Sequence, residues 1–359
     1  MVAELKKVME VAFDKKKKPS MFLANLFKKK QLDGIKVEVQ SRTIKSIYSV
    51  DVQLGTGGRY IDMSKYKKTD YVVPEYNDLS PITEQDMLEA GLGETEYDNA
   101  KVAKAADLIT DRQEIISDMQ RRAEEKQAAD ALFNGEVVLS NGDKITFNKK
   151  GSHNINLNSR KFSSDANGTP VDDRAAACGL IVTDAKLGDS VFNFISNDAV
   201  VRALLGNAQF RANADIQKGI DRTNVGMPEE LTPGAKFHGQ FACGGYRVNI
   251  WSYDGTYEIP TGYGFANEGT EVTYIPSGKA VILPLEPNFK RYYGALNSVD
   301  ASVGSNVAGA KISLKQAEQL PYAYDEVNNG SAVTKAGVKS RPLCVPNDVD
   351  AFVTLYNLI

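Results

Sequence analysis

DNAKVAKAADLITDRQEIISDMQRRAEEKQAADALFNG, residues Asp98 to Gly135, is the stretch that decides how the rest of the chain is read. No proline or glycine interrupts it before Gly135. It is rich in Ala, Gln, Glu, Lys and Arg, which lose little side-chain freedom in a helix. Apolar residues recur at Val102, Ala105, Ile109, Ile116, Met119 and Ala123, a spacing of three to four that stripes one face. The pattern predicts one helix, capped by Asp98 and stopped by Gly135. Unbroken, it runs roughly 50–55 Å at 1.5 Å per residue. Thr110 and Gln113 also have capping-box spacing, which leaves a break near Thr110 as the other reading. Arg121, Arg122, Glu124 and Glu125 read as a solvated face in preference to ion pairs with another chain. A rod of this length reads as a spine, with sheet packed on it and arms extending from it.

Before the spine the chain is extended. Val37 and Val39 alternate with polar neighbours, as do Val50, Val52 and Leu54. Gly55-Thr-Gly-Gly58 breaks the run, and Arg59-Tyr-Ile-Asp-Met63 resumes it. Tyr71 to Tyr76 carries Pro74, which suits an edge. The whole reads as a long hairpin with its tip at Gly55, Gly57, Gly58 and Arg59. Its apolar residues are too sparse for a private core, so the entropy of ordering it must be recovered in contacts elsewhere, most naturally between subunits. Residues 1–34 are basic, with Lys15, Lys16, Lys17 and Lys18 on one side of an apolar turn and Lys28, Lys29 and Lys30 on the other. Residues 3–13 predict a short amphipathic helix. Phe22, Leu23, Leu26 and Phe27 predict an anchor that must dock on the body or on another chain. The lysines read either as a solvated basic tail or as an arm facing a polyanion or a partner.

After the spine, Asn141-Gly142 between short alternating runs predicts a hairpin of 137–139 with 144–147. An α/β pattern follows. It predicts a helix from Asp172 or Asp173 to about Lys186, a buried strand at 190–195, and helices at 197–205 and 209–218. Asp254-Gly255 predicts a second hairpin, of 245–253 with 256–259, and 279–283 predicts a further strand. The tail predicts strands at 339–344 and 351–356.

Composition limits the function classes. The 359 residues are 42% hydrophobic, enough for a real core, and the formal net charge of −3 gives no global signal for nucleic acid. No apolar run approaches 18 residues, so no membrane span is expected. The N-terminal residues lack the long apolar core of a signal peptide. Cys178, Cys243 and Cys344 are widely spaced and fit reduced thiols of a cytoplasmic product.

Chemical motifs are sparse. Gly55-Thr-Gly-Gly58 fits neither phosphate-loop pattern and reads as a hairpin tip. His153 and His238 belong to no ligand cluster, so no metal or other cofactor is expected. Cys243, five residues after His238, is a weak candidate thiol nucleophile. Glu229 with Glu230, and Asp172 with Asp173, read as helix-start carboxylates in preference to acid–base pairs. No catalytic residue is assigned, although a triad assembled in space leaves no local motif.

The order of elements resembles the lambda-like major capsid protein family of tailed bacteriophages (major capsid protein E). The resemblance rests on residues 19–27 as an N-arm anchor, Tyr71 to Pro81 as the exit from an extended loop, and Asp118 to Gly135 as the end of the spine helix. The run 172–206, the hairpin 248–259 and the ending Arg341 to Thr354 complete it. It implies an α+β tailed-phage capsid fold with these parts: an N-terminal arm at 1–40, an extended loop at 41–90, and a peripheral domain with the spine at 91–171. An axial domain at 172–285 follows, and 286–359 returns to the peripheral domain with the C-terminal strands. It further implies pentamers and hexamers of the chain itself, closed into an icosahedral shell around double-stranded DNA, and no catalytic centre. Implied partners are a separate scaffolding protein, a portal, a decoration protein in some cases, and DNA held without base reading. The expected location is the virion, assembled in the host bacterial cytoplasm. The alternative within the same fold is an encapsulin-like nanocompartment. The alternatives outside it are an enzyme using Cys243 and a nucleic-acid-binding module using the Lys-rich arm.

Overall fold

A computed structural model describes residues 19–44, 64–83, 86, 98–139, 142–147, 149–163, 167–186, 188–218, 229–262, 267–300, 311–328 and 331–359. The helix of residues 3–13, the loop tip Gly55, Gly57, Gly58 and Arg59, and Lys15, Lys16, Lys17 and Lys18 lie outside the described residues.

The spine is one helix, α1, Asp98–Phe133, with 36 residues. It does not break at Thr110. There the threonine hydroxyl donates to the Ala106 carbonyl 2.9 Å away, one turn back, and the helix continues. Gly135 follows with φ 71°, the left-handed conformation that a residue without Cβ adopts freely.

Three sheets meet this helix or its neighbours. One takes β1 (Lys28–Gln31), β15 (Phe289–Tyr293) and β20 (Pro342–Pro346), in that order, with β1 parallel to β15. A second takes β18 (Leu320–Asn328), β19 (Ser331–Ser340) and β4 (Tyr76–Ile82). The third has seven strands in the order β7-β21-β14-β8-β11-β10-β9. These are β7 (Asn154–Asn156), β21 (Val353–Tyr356), β14 (Ala280–Pro284), β8 (Val191–Ser196), β11 (Tyr246–Tyr253), β10 (Ala235–Cys243) and β9 (Glu229–Thr232). Of the two C-terminal strands, β20 therefore joins the sheet beside the spine. β21 pairs with β14 and β7 in the seven-stranded sheet.

The central strands β8 and β14 of the seven-stranded sheet are buried on both faces, and alternation sorts their side chains. Ala280 and Ile282 turn to a core shared with α2 (Pro170–Ala185), α3 (Asp198–Gly206) and α4 (Ala208–Lys218). Val281 and Leu283 turn to the opposite core, shared with the arm, the spine and β15. Local signals place the helices. Pro170 enters α2 at its first turn. The Asn197 side chain accepts from the Val200 N–H and caps α3.

Four two-stranded ribbons lie among the described residues, one of them β16 (Leu296–Asp300) with β17 (Lys311–Lys315). β5 (Glu136–Val138) pairs with β6 (Lys144–Thr146), as the Asn-Gly signal predicts. β2 (Lys36–Ile44) pairs antiparallel with β3 (Ser64–Val72) over nine residues each, the stem of the long hairpin. The Asp254-Gly255 signal misleads. β11 pairs back with β10 across Gly244-Gly245, both at positive φ, while β12 (Thr256–Glu258) pairs with β13 (Glu271–Thr273). Two consecutive left-handed glycines make the tighter reversal, and β11 is already filled on its other edge by β8.

Candidate assembly site: the arm seated on the spine

The N-terminal anchor docks on its own body. A single 3₁₀ turn, Ala24–Leu26, follows Leu23. Leu23, Ala24 and Phe27 are fully or almost fully buried, and Phe22 and Leu26 pack partly buried against the same core. The Phe22 ring lies 5.5 Å from Trp251 and 5.2 Å from Tyr253, and Phe27 lies 5.2 Å from Phe289. All four predicted anchor residues thus come together. What fixes them is a group the sequence reading put in solvent. Glu125, 0% exposed, accepts from the Leu23 N–H with Oε1 and from the Ala24 N–H with Oε2, both at 2.8 Å. A turn this short leaves its first N–H groups without partners, and one carboxylate takes two of them.

Glu124, the residue before it, is buried for a different reason. Its Oε2 accepts from Arg291 Nη1 and from the Tyr293 hydroxyl, each at 3.0 Å. Burial pushes both carboxyls above the usual range, Glu125 to about 7, and the N–H and Arg291 contacts pull against it. The solvated-face reading of Arg121, Arg122, Glu124 and Glu125 therefore holds for Arg121, which is exposed and pairs with Asp118, and fails for both glutamates. Their side chains serve segments far away in sequence, so no helical spacing announces them. The one local sign is the run of alanines around them, which lets other elements approach closely.

The apolar stripe needs the same correction. Ile116 is buried, but Met119 is 49% and Ile115 37% exposed. The buried side of the spine carries glutamines instead. Gln120 donates to the Val338 carbonyl at 2.8 Å, and Gln127 donates to the Tyr76 hydroxyl at 2.8 Å. These bonds hold the sheet of β4, β18 and β19 to the helix. At the spine's last turn, Lys279 donates to Asn134 Oδ1 at 2.8 Å and Thr354 donates to the Leu132 carbonyl at 2.9 Å. The Thr354 bond satisfies a carbonyl of the last turn, Lys279 also reaches the Phe133 carbonyl at 3.4 Å, and both tie the helix to the seven-stranded sheet.

The lysines after the anchor divide by strand alternation. Lys29 turns to Glu318, with Nζ 2.6 Å from Oε2. Lys28 and Lys30 turn the other way. Lys28 sits opposite Lys290 in register and makes an exposed pair with Glu286 at 3.4 Å, and Lys30 lies 5.8 Å from the centre of the Tyr292 ring.

The candidate chemical groups do not converge. Cys243 is buried and donates to the Val171 carbonyl, and burial raises its thiol pKa. His238 is bonded to Ser252 Oγ at 2.8 Å. His153 is enclosed between Asp184 and the Phe352 carbonyl. Asp172 and Asp173 sit in the first turn of α2, where they accept from Gln209 and pair with Arg160. Glu229 begins β9, so the 229–230 pair starts a strand and not a helix. Among the described residues no group of His, Cys, Asp and Glu could hold a metal ion, and no helix is long and apolar enough to cross a membrane.

An α+β body with a long spine helix, a seated arm and a β ribbon standing off the sheets defines the tailed-phage major capsid class. The crystal structure of a protein assigned as the capsid protein of an E. coli CFT073 prophage superposes with a TM-score of 0.59 at 15% identity, over 94% of this chain and 93% of that one. Two weaker similarities carry no further argument. The capsid of a native GTA particle gives a TM-score of 0.46 at 9% identity, over 93% and 89% of the two chains. The SrpI encapsulin of Synechococcus elongatus PCC 7942 gives 0.44 at 10% identity, over 94% and 87%. No curated protein sequence matches. The family model described as phage major capsid protein E matches residues 4–357, and the chain belongs to that family of structural phage-head proteins.

Proposed function

We propose that this chain is a non-catalytic shell subunit that joins copies of itself, as pentamers and hexamers, into an icosahedral head around double-stranded DNA. The supporting observation is the β2–β3 ribbon. It pairs with no third strand among the described residues, and its last residue, Val72, is 60% exposed. A two-stranded ribbon is at best marginally stable alone, so a neighbouring copy is its natural support. Contacts of this head-to-tail kind close into rings, and rings bridged by loops and arms close into a shell.

Assembly would proceed on a scaffolding protein in the host cytoplasm, with a portal at one vertex and, in some heads, a decoration protein. The divisions 1–40, 41–90, 91–171, 172–285 and 286–359 are proposed as arm, extended loop, peripheral domain, axial domain and return. Lys28 and Lys30, with Lys15 to Lys18 before them, would present charge to DNA or to an acidic scaffold. Such contact is independent of base sequence and weakens with salt.

The test is negative-stain electron microscopy and sedimentation of the purified chain with its scaffold, beside a deletion of residues 50–70. Rings or shells tens of nanometres wide from the full chain, and a folded but unassembled deletion protein, are the expected result. A small discrete oligomer in the presence of scaffold, or normal shells from the deletion protein, overturns the reading.

A further inference from the structure

We propose that Glu125 is a proton-linked catch for the N-terminal arm. The arm docks by presenting two main-chain N–H groups to one buried carboxylate, and the proton on that carboxylate sets how tightly the arm is held.

The geometry is that of a built socket. Residues 102 and 101 positions apart in sequence meet at two hydrogen bonds of 2.8 Å, one to each carboxylate oxygen. Aromatic rings of β11 floor the site, and the Phe22 ring packs on Trp251 and Tyr253 as the arm enters. Leu23 and Ala24, both at 0% exposure, lie directly against Glu125, which is itself at 0%. Lifting the turn removes both N–H donors and admits water to the carboxylate. Seat and catch are therefore the same event.

The charges around Glu125 leave it without a full counter-ion. Arg291 of β15 donates to Glu124 at 3.0 Å, so the nearest guanidinium is committed to the neighbouring acid. Tyr253 of β11 and the nearby Tyr274 face the carboxylate with neutral hydroxyls, and Arg122 of the spine lies near Tyr274. From the arm come the Leu23 and Ala24 N–H dipoles. Arg291 therefore offsets only part of the cost of burying this ion, and taking up a proton removes the remainder. The protonated acid keeps an acceptor for the arm, and the Tyr253 hydroxyl beside it, which also meets Ser20 of the arm, can receive its O–H.

The direction follows from linkage. Burial pushes the docked carboxyl up to about 7 from an ordinary 4.5, and water entering as the arm leaves brings it back towards that ordinary value. The docked state binds the proton more tightly, so docking strengthens as pH falls from 7 towards 4.5 and loosens as pH rises through 7. Each unit between the two values is worth a factor of about ten in the docking equilibrium.

The chain carries its own reporter, because its single tryptophan is Trp251. The proposal concerns one chain and does not rest on shell assembly, so the experiment uses the unassembled full-length protein. Trp251 emission is followed from pH 5 to 9, and amide exchange of residues 19–27, corrected for intrinsic rates, is compared at pH 6 and 8. The wild type should show a transition near pH 7 and about tenfold greater protection at pH 6 than at pH 8. Glu125→Gln should lose the transition, and His238→Gln, which removes the β10 histidine bonded to Ser252 beside Trp251 in sequence, should keep it. Equal protection of the wild type at the two pH values overturns the proposal without recourse to any variant. A transition that survives in Glu125→Gln, or disappears in His238→Gln, overturns it as well.

Discussion

Arg291 Nη1 lies 3.0 Å from Glu124 Oε2, with the two side chains 2% and 3% exposed, and this pair joins β15 to the middle of the spine. Removing one partner of a buried pair leaves an unpaired charge, whereas removing both can be nearly neutral. Arg291→Met should therefore cost about 3–5 kcal/mol in urea unfolding. The double variant Arg291→Met with Glu124→Met should recover most of that loss. A single-variant cost below about 1 kcal/mol, the range of an exposed pair, would show that the two groups do not bond in the folded chain.

Met119→Asp should leave the chain folded, with a change within about 0.5 kcal/mol, because Met119 is half exposed beside Ile115. Leu132→Ala, on the buried end of the same helix at 0% exposure, should cost about 2–5 kcal/mol. Thermal melts of the two variants decide between this burial pattern and the stripe drawn from spacing alone, which places Met119 in the core. Loss of shells from a stable Met119→Asp protein would identify that face as a contact between copies.

Lys149 sits in a pocket of like charge and poor solvation. Its Nζ lies 4.2 Å from the centre of the Phe352 ring and bonds the Thr354 hydroxyl. Burial, with Lys279 nearby, pulls its pKa down to about 7 from 10.5. The unfolded chain then binds the extra proton between those values, so this group makes stability rise with pH from about 7 to 10.5. Lys149→Met should raise the melting temperature at pH 7 and flatten that rise. Parallel melting curves for wild type and variant from pH 7 to 10 would refute the assignment.

Gly337 in β19 lies beneath the ends of two side chains. A Cβ there would stand 2.7 Å from Leu79 Cδ2 and 2.7 Å from the Tyr322 ring. Gly337→Ala should cost about 1–3 kcal/mol through displaced neighbours. Leu79→Ala should relieve part of that cost in the double variant, read as non-additivity in urea midpoints.

The spine, the hairpin stem, the small hairpin after Gly135 and the helices of residues 170–218 were legible because each is set by local chemistry. Helix formers without Gly or Pro, alternation, Asn-Gly and an Asn cap each act within a few residues. The anchor was legible as four apolar residues that cannot bury themselves. Its receptor was not. Glu125 carries no local mark distinguishing it from Arg121, because its two partners lie about a hundred residues away. Helical periodicity scores apolar residues, so it passed over Gln120 and Gln127, which are buried by bonding other strands, and favoured Met119, which is not.

By itself, then, the sequence determined the spine, the hairpin stem, the helices and the arm, since propensity, capping and alternation are short-range, while the strands β10, β15 and β18 went unread. It also determined that two of those segments lack a core of their own. Only the tertiary structure decided which strands are neighbours, that β11 turns back to β10 and not on to β12, and that β21 closes the seven-stranded sheet. It also decided which charges are buried. Burial is a property of what arrives from elsewhere in the chain, and a glutamate becomes a catch only when the arm reaches it.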